Sequence, residues 1–243
     1  GASARCGGGA PRPAMKQIAL DIGLAPEPTL ESFFPGGNAE ALAHLRLWAG
    51  GAAARSPVPL YLWGESGSGK THLLRAARQA LERAGGQVGW LGPQSPPQAA
   101  FQPHWDAVMF DDVHLFNAEQ QHTAFNWFVN AVSPPQGAPR GVLAAGRLPP
   151  ADLPLREDLR TRLGWGHVFE LQVPTEAERR AVLRRAADAR GLFLPDEVMD
   201  FILARFSRDL GNLIALLDRL DAYALQTKRA VTIPLLKEML QDS

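Results

Sequence analysis

The sequence predicts an α/β protein: a five-stranded parallel sheet flanked by helices and continued by a helical C-terminal subdomain. Three observations carry that reading. From Phe33 onward, short apolar runs bounded by Pro or Gly alternate with stretches of helical periodicity, the pattern of strands covered on both faces. One of these runs leads through a glycine-rich loop directly into a helix. After "QVPTEAE" the strand signals stop, so the rest of the chain builds helices alone.

Taken in order, the chain opens on "GASARCGGGAPRPA", read as a disordered extension (1–14), native or not, ahead of Met15, which looks like a natural start. "MKQIALDIG" follows, with Ile18, Leu20 and Ile22 alternating as a strand would and Gln17 in front. Asn38 is placed to cap a helix that buries Leu42, Leu45 and Trp48. "VPLYLW" (58–63) is the first strand, and the helix from Lys70 to Ala84 stops at Gly85 and Gly86. "QVGWLG" (87–92) and "AVMFDD" (107–112) are the second and third strands. Asn117 with Gln120 forms a capping box for a helix reaching Val132, and "SPPQGAPR" ends it.

"GVLAA" (141–145) and "HVFEL" (167–171) complete the sheet. Thr175 with Glu178 caps a helix to Arg190, and further helices occupy 195–206, 209–227 and 234–241. The expected division is a flexible N-terminal segment (1–29), an α/β base (30–174) and a helical subdomain (175–243). Phe125, Trp127 and Phe128 fall at helical spacing and read as core.

Composition narrows the function. Lys and Arg number 25 against 25 Asp and Glu, so broad electrostatic attachment to nucleic acid or to an anionic membrane is not signalled. Cys6 is the one cysteine, which excludes an intrachain disulfide and a cysteine metal site and fits a reducing, cytoplasmic compartment. No run approaches the roughly 18 apolar residues of a membrane span. The six histidines lack metal-ligand spacing, and no G-x-S-x-G elbow occurs.

The strongest chemical signal is "GESGSGKT": Gly64, Glu65, Ser66, Gly67, Ser68, Gly69, Lys70 and Thr71 satisfy G-x-x-x-x-G-K-[ST]. The glycines let consecutive N–H groups face phosphates, Lys70 neutralises the β and γ charges, and the Thr71 hydroxyl coordinates magnesium. In "VMFDDVH", Asp111 and Asp112 end a buried strand, where open α/β sheets place their ligand sites. Asp111 would hold magnesium through water, and Asp112 either polarises an attacking water or tunes the metal site. Arg162, before the last strand, and Arg208, ahead of a late helix, are candidates for acting on a nucleotide from a neighbouring subunit and from the helical subdomain; a surface ion pair is the alternative for each.

These residues carry a resemblance. "GESGSGKTHLL", "VMFDDVH", "RTRLGWG" and "RDLGNLIALLDRL" are similar to the AAA+ module of the bacterial replication initiator DnaA. "QIALDIG", "SFFPGGNAEAL", "LRTRLGWGHVFELQ" and "TIPLLKEML" resemble more closely the Hda family, the DnaA-related regulatory inactivators, from Met15 to the C-terminus. The resemblance implies an AAA+ P-loop core with a C-terminal α-helical lid, ADP (or ATP) with Mg2+ as cofactors, and DnaA and the DNA polymerase III β sliding clamp as partners. DNA is reached indirectly through the clamp, and homo-oligomerisation is left open.

Residue by residue, Gln17, Ile18, Leu20 and Ile22 fall on the clamp motif, Gly64 to Thr71 on the phosphate loop, and Asp111 with Asp112 on the acidic pair. Arg162 falls on the trans-acting arginine finger and Arg208 on the lid sensor. The implied role is negative regulation of replication initiation, by stimulating DnaA's ATP hydrolysis on DNA-loaded clamp. No counterpart of DnaA's origin-binding helix-turn-helix is expected.

Two departures stand out. Ala144, Ala145 and Gly146 occupy the place of a polar sensor residue, which argues against efficient hydrolysis by this chain itself. Asp21 interrupts the clamp motif, whose stretch alternatively reads as an edge strand on its own domain. The competing expectation is a self-sufficient AAA+ ATPase, such as a helicase-loader relative; a small-molecule kinase ranks third.

Overall fold

The computed structural model describes residues 27–50, 58–206 and 208–242. Gln17, Ile18, Leu20 and Ile22, with the leader, lie outside the described residues.

Five parallel strands, β1 (Leu60–Trp63), β2 (Val88–Leu91), β3 (Ala107–Phe110), β4 (Gly141–Gly146) and β5 (His167–Glu170), form one sheet in the order β2-β3-β4-β1-β5. Side-chain alternation explains why four of the five read as apolar runs. Leu60, Leu62, Met109, Leu143 and Ala145 face one layer, with α1 (Ala39–Ala49) and α2 (Lys70–Arg83). Tyr61, Val108, Phe110, Val142 and Ala144 face the other, with α3 (Ala118–Val132) and α4 (Glu157–Leu163). Both faces are covered along β1, β3 and β4, so their positions are apolar. β2 and β5 are the two edges: β2, paired only with β3, is buried at alternate positions, and β5, paired only with β1, is largely exposed.

The turn "GWG" delivers β5 to that edge. A Cβ on Gly166 would stand 1.9 Å from the Pro59 carbonyl oxygen, and the next residue, His167, donates its N–H to that same oxygen at 2.8 Å. Only glycine lets the chain pass so close.

Helices α5 (Glu176–Ala189), α6 (Asp196–Arg205), α7 (Leu210–Thr227) and α8 (Ile233–Gln241) enclose their own core, centred on Leu183, Val198, Ile202, Leu216, Leu220 and Leu235. Both expected capping boxes are present, Asn117 with Gln120 and Thr175 with Glu178.

Two expectations need correction, and one helix is added. Asn38 precedes α1 but its side chain does not cap it; buried at the start of the base, it exchanges two bonds with Gln172, donating Nδ2–H to the Gln172 carbonyl (2.9 Å) and accepting the Gln172 N–H (2.7 Å). α4 was not anticipated, because only Leu159 and Leu163 mark its apolar face. Glu27 and Thr29, assigned to the tail, already contact α2 through Gln79 (2.5 Å) and His72 (3.3 Å).

Candidate functional site

The phosphate loop leaves the C-terminal end of β1 and enters α2. Gly64, Gly67 and Gly69 carry φ of 151°, 84° and 94°, values that favour glycine. Neighbours fix these positions as well. A Cβ on Gly64 would lie 2.5 Å from the Leu171 carbonyl oxygen, one on Gly69 would lie 2.6 Å from Phe33, and one on Gly67 would touch Arg208 at 3.5 Å. The loop therefore sits in a crevice walled by the segment before α1, by the connection out of β5, and by the start of α7.

Lys70 is buried and its Nζ donates to the carbonyls of Gly64 (2.7 Å) and Glu65 (2.8 Å) and to Ser68 Oγ (3.4 Å). Burial pushes its ammonium pKa down, against the pull of Asp112 and Asp111. A buried cation held only by neutral oxygens is suited to an anion.

Thr71 Oγ1 donates to both Asp111 oxygens, at 3.1 and 3.0 Å. Burial first, and Asp112 second, raise the Asp111 carboxyl above the usual range, while Thr71 opposes this. Asp112 follows in the left-handed region, φ 49°, a conformation that Asp tolerates better than most residues and that clusters at functional sites. The hydroxyl–carboxylate pair suits a magnesium ion that neutralises it.

Beside this pair, the Arg147 N–H donates to His114 Nδ1 at 3.2 Å. Burial lowers the His114 pKa, with Asp112 opposing and the Lys70 and Arg147 charges adding to the fall. Sequence reasoning missed this pair.

The stretch where the resemblance expects a polar sensor residue is closed by packing. A Cβ on Gly146 would lie 2.4 Å from the Tyr61 hydroxyl and 2.9 Å from Val113. Tyr61 is fully buried and donates to the Leu148 carbonyl at 2.7 Å, so it does not yield. Gly146→Ala is expected to cost about 1–3 kcal/mol, and a Tyr61→Phe background should recover part of that. Urea melts of the four chains in this double-mutant cycle test it, and additive costs would contradict it.

His72 lies over the same crevice, its ring 5.5 Å from that of Phe33 and its Nε2 3.3 Å from the Thr29 carbonyl. Burial lowers its pKa, with Thr29 and Asp209 pulling the other way. A folded-state pKa below the unfolded value means that the unfolded chain takes the proton first, so stability falls as pH drops below about 6.5. The melting temperature should therefore decline from about pH 7 to about pH 5, and less steeply for His72→Asn; equal slopes in the two chains would contradict this.

Arg162 is elsewhere. It stands on the last turn of α4, exposed, with its guanidinium 4.9 Å from the centre of the Phe125 ring and with no ion pair among the described residues. Arg156 stacks on the same ring at 5.4 Å but is bonded to Asp158 at 2.6 Å. Phe125, expected in the core, is thus a half-buried platform for two cations. A groove of about 1060 Å³ opens here, lined by Phe128, Val132, Thr161, Arg162 and Trp165. Because α4 leads into the start of β5, and β5 runs parallel to β1 with Leu60 opposite His167, this groove lies toward the sheet end opposite the phosphate loop.

Arg208, also exposed, brings its Cβ and backbone against the loop at Gly67. The site thus joins the phosphate loop, Asp111, Asp112 and Arg208, and leaves Arg162 facing outward.

Known proteins share parts of this sequence and this fold. A family model for the Hda lid domain matches residues 176–240, and one for the bacterial DnaA ATPase domain matches residues 24–88. Among solved structures, domain III of the Thermotoga maritima replication initiation protein DnaA is similar with a TM-score of 0.67 and 21% identity, covering 89% of this chain and 97% of that one. A DnaA bound to AMPPCP and single-stranded DNA gives 0.62 and 20%, covering 84% and 68%. The Thermotoga maritima RuvB branch migration motor gives 0.59 and 19%, covering 89% and 72%. These likenesses identify the fold as AAA+. No helix among the described residues is long and apolar enough to cross a membrane.

Proposed function

Given that the chain is an Hda-like, DnaA-related AAA+ protein, we propose that it is a nucleotide-bound adaptor that restrains replication initiation by stimulating ATP hydrolysis on DnaA. In this reading the base would span 30–174, with Glu27 and Thr29 packed on it, and the lid 175–243. The backbone from Gly64 to Gly69, with Lys70 and Arg208, would hold the phosphates of ADP (or ATP); Thr71 and Asp111 would hold Mg2+, with Asp112 tuning the pair. When bound, the magnesium nucleotide supplies a partly neutralised polyanion between base and lid.

The observation that carries the reading is the exposed guanidinium of Arg162, unpaired among the described residues and presented away from the chain's own phosphate loop. A cation at the sheet end opposite its own phosphate loop would be free to act on another subunit's nucleotide. Delivered to the ATP of DnaA, it would stabilise charge developing on the phosphoryl oxygens. Gly146, closed off by Tyr61, supports a weak hydrolytic site in this chain and disfavours the self-sufficient ATPase.

Gln17, Ile18, Leu20 and Ile22 would dock on the β sliding clamp, Gln17 through its amide and the apolar residues as anchors. DNA is then approached through the clamp, in the cytoplasm. The test is ATP turnover by DnaA with this chain, ADP and DNA-loaded clamp. Stimulation by wild type and its loss in Gln17→Ala/Leu20→Ala, together with loss of clamp binding, is expected. Equal stimulation by that variant would remove the clamp from the reading.

A further inference from the structure

The lid holds a second arginine that the site description leaves unused. Arg179, on the first turns of α5, is 7% exposed, yet its Nε and Nη1 have no hydrogen-bond partner. It makes no ion pair among the described residues, and the nearby Glu176 turns instead toward Arg180 at 3.8 Å. A buried guanidinium without acceptors is a costly arrangement, retained where an anion completes it.

Its surroundings say which anion. Burial and then the charge of Arg208 lower the Arg179 pKa, so the two lid cations feel each other. Arg208 in turn abuts Gly67 of the phosphate loop. The helix carrying Arg179 is held against the same crevice: Gln172 is tied to Asn38, Leu171 closes on Gly64, and Glu178 comes within 3.6 Å of a Cβ on Gly36. Two mutually repelling guanidiniums beside a phosphate loop match a polyanion, because one ligand relieves both the missing acceptors and the repulsion.

We propose that Arg179 is a phosphate-binding residue of the lid, acting with Arg208 on the diphosphate of the bound nucleotide. This rests on the nucleotide-binding reading above and adds a residue that couples lid position to the phosphates. Anion binding and burial pull stability in opposite directions here. Removing Arg179 should weaken the ligand while leaving the ligand-free protein as stable or more so.

Arg179→Met keeps the length and apolar stem of the side chain and removes the charge. Titration of the full chain should show ADP affinity lowered about tenfold to a hundredfold, the span of one charge-assisted hydrogen bond. The thermal shift induced by inorganic pyrophosphate should shrink in parallel, and the ligand-free melting temperature should hold or rise. A lowered ligand-free melting temperature with ADP affinity within about twofold of wild type would make Arg179 a structural residue and overturn the inference. Loss with ADP but an unchanged pyrophosphate shift would overturn its assignment to the diphosphate. If Lys70→Ala loses ADP while Arg179→Met does not, the inference fails and the nucleotide site stands; if wild type binds no ADP, both fail.

Discussion

Arg162→Ala should lower the DnaA hydrolysis rate stimulated by this chain by roughly 10³-fold or more, the range an arginine finger supplies. Its effect on the chain itself should be small. The guanidinium is exposed, and its contact with Phe125 is of the kind worth about 0.5–1 kcal/mol at the surface. Leu159 and Leu163, which anchor α4, remain in place. The melting temperature should shift by no more than about 2–4 °C, and ADP binding should match wild type. Arg162→Lys should also fail, because an ammonium lacks the planar fork. Arg156→Ala is the matched control: it removes the other cation over Phe125 yet should leave stimulation within a few fold. Steady-state phosphate release by DnaA, with this chain varied, reads all three.

Lys70→Ala should weaken ADP binding by about a hundredfold or more, since it removes a charge-assisted contact from a buried site where water replaces it poorly. Its three oxygen partners, Gly64, Glu65 and Ser68, belong to the loop itself. The loss should therefore be local, with the sheet and both apolar layers unchanged. The stabilisation by saturating ADP, about 2.7 kcal/mol at a hundred times Kd, should nearly vanish. A thermal melt with and without ADP and magnesium measures it, and an undiminished shift would contradict the role of Lys70.

What the sequence discloses, and what it hides, follows from the range of the interactions. The phosphate loop, the helix from Lys70 and the capping boxes at Asn117 and Thr175 rest on residues a few positions apart, so local pattern sufficed. Asn38 was misread because its partner, Gln172, is 134 positions away. Gly146 was noted as a missing side chain, but the cause, the Tyr61 hydroxyl from a neighbouring strand, needs the paired sheet. α4 is a short helix with two apolar contacts and takes its shape from the layer beneath it.

Arg179 had a signal that went unused. It lies four and eight positions before Leu183 and Ala187, on the buried face of its helix. A charge on that stripe is the pattern that the proposed phosphate-binding role of Arg179 would leave in the sequence.

Whose nucleotide is hydrolysed decides the matter. Labelled ATP is loaded in one sample on DnaA and in the other on this chain, the proteins are mixed with DNA-loaded clamp, and release of phosphate is followed over a single turnover. Release from the DnaA-held ATP, dependent on Arg162, with the ATP on this chain left largely intact, is the expected result. Release from the ATP on this chain, with or without DnaA and unaffected by Arg162→Ala, would contradict the trans-acting role.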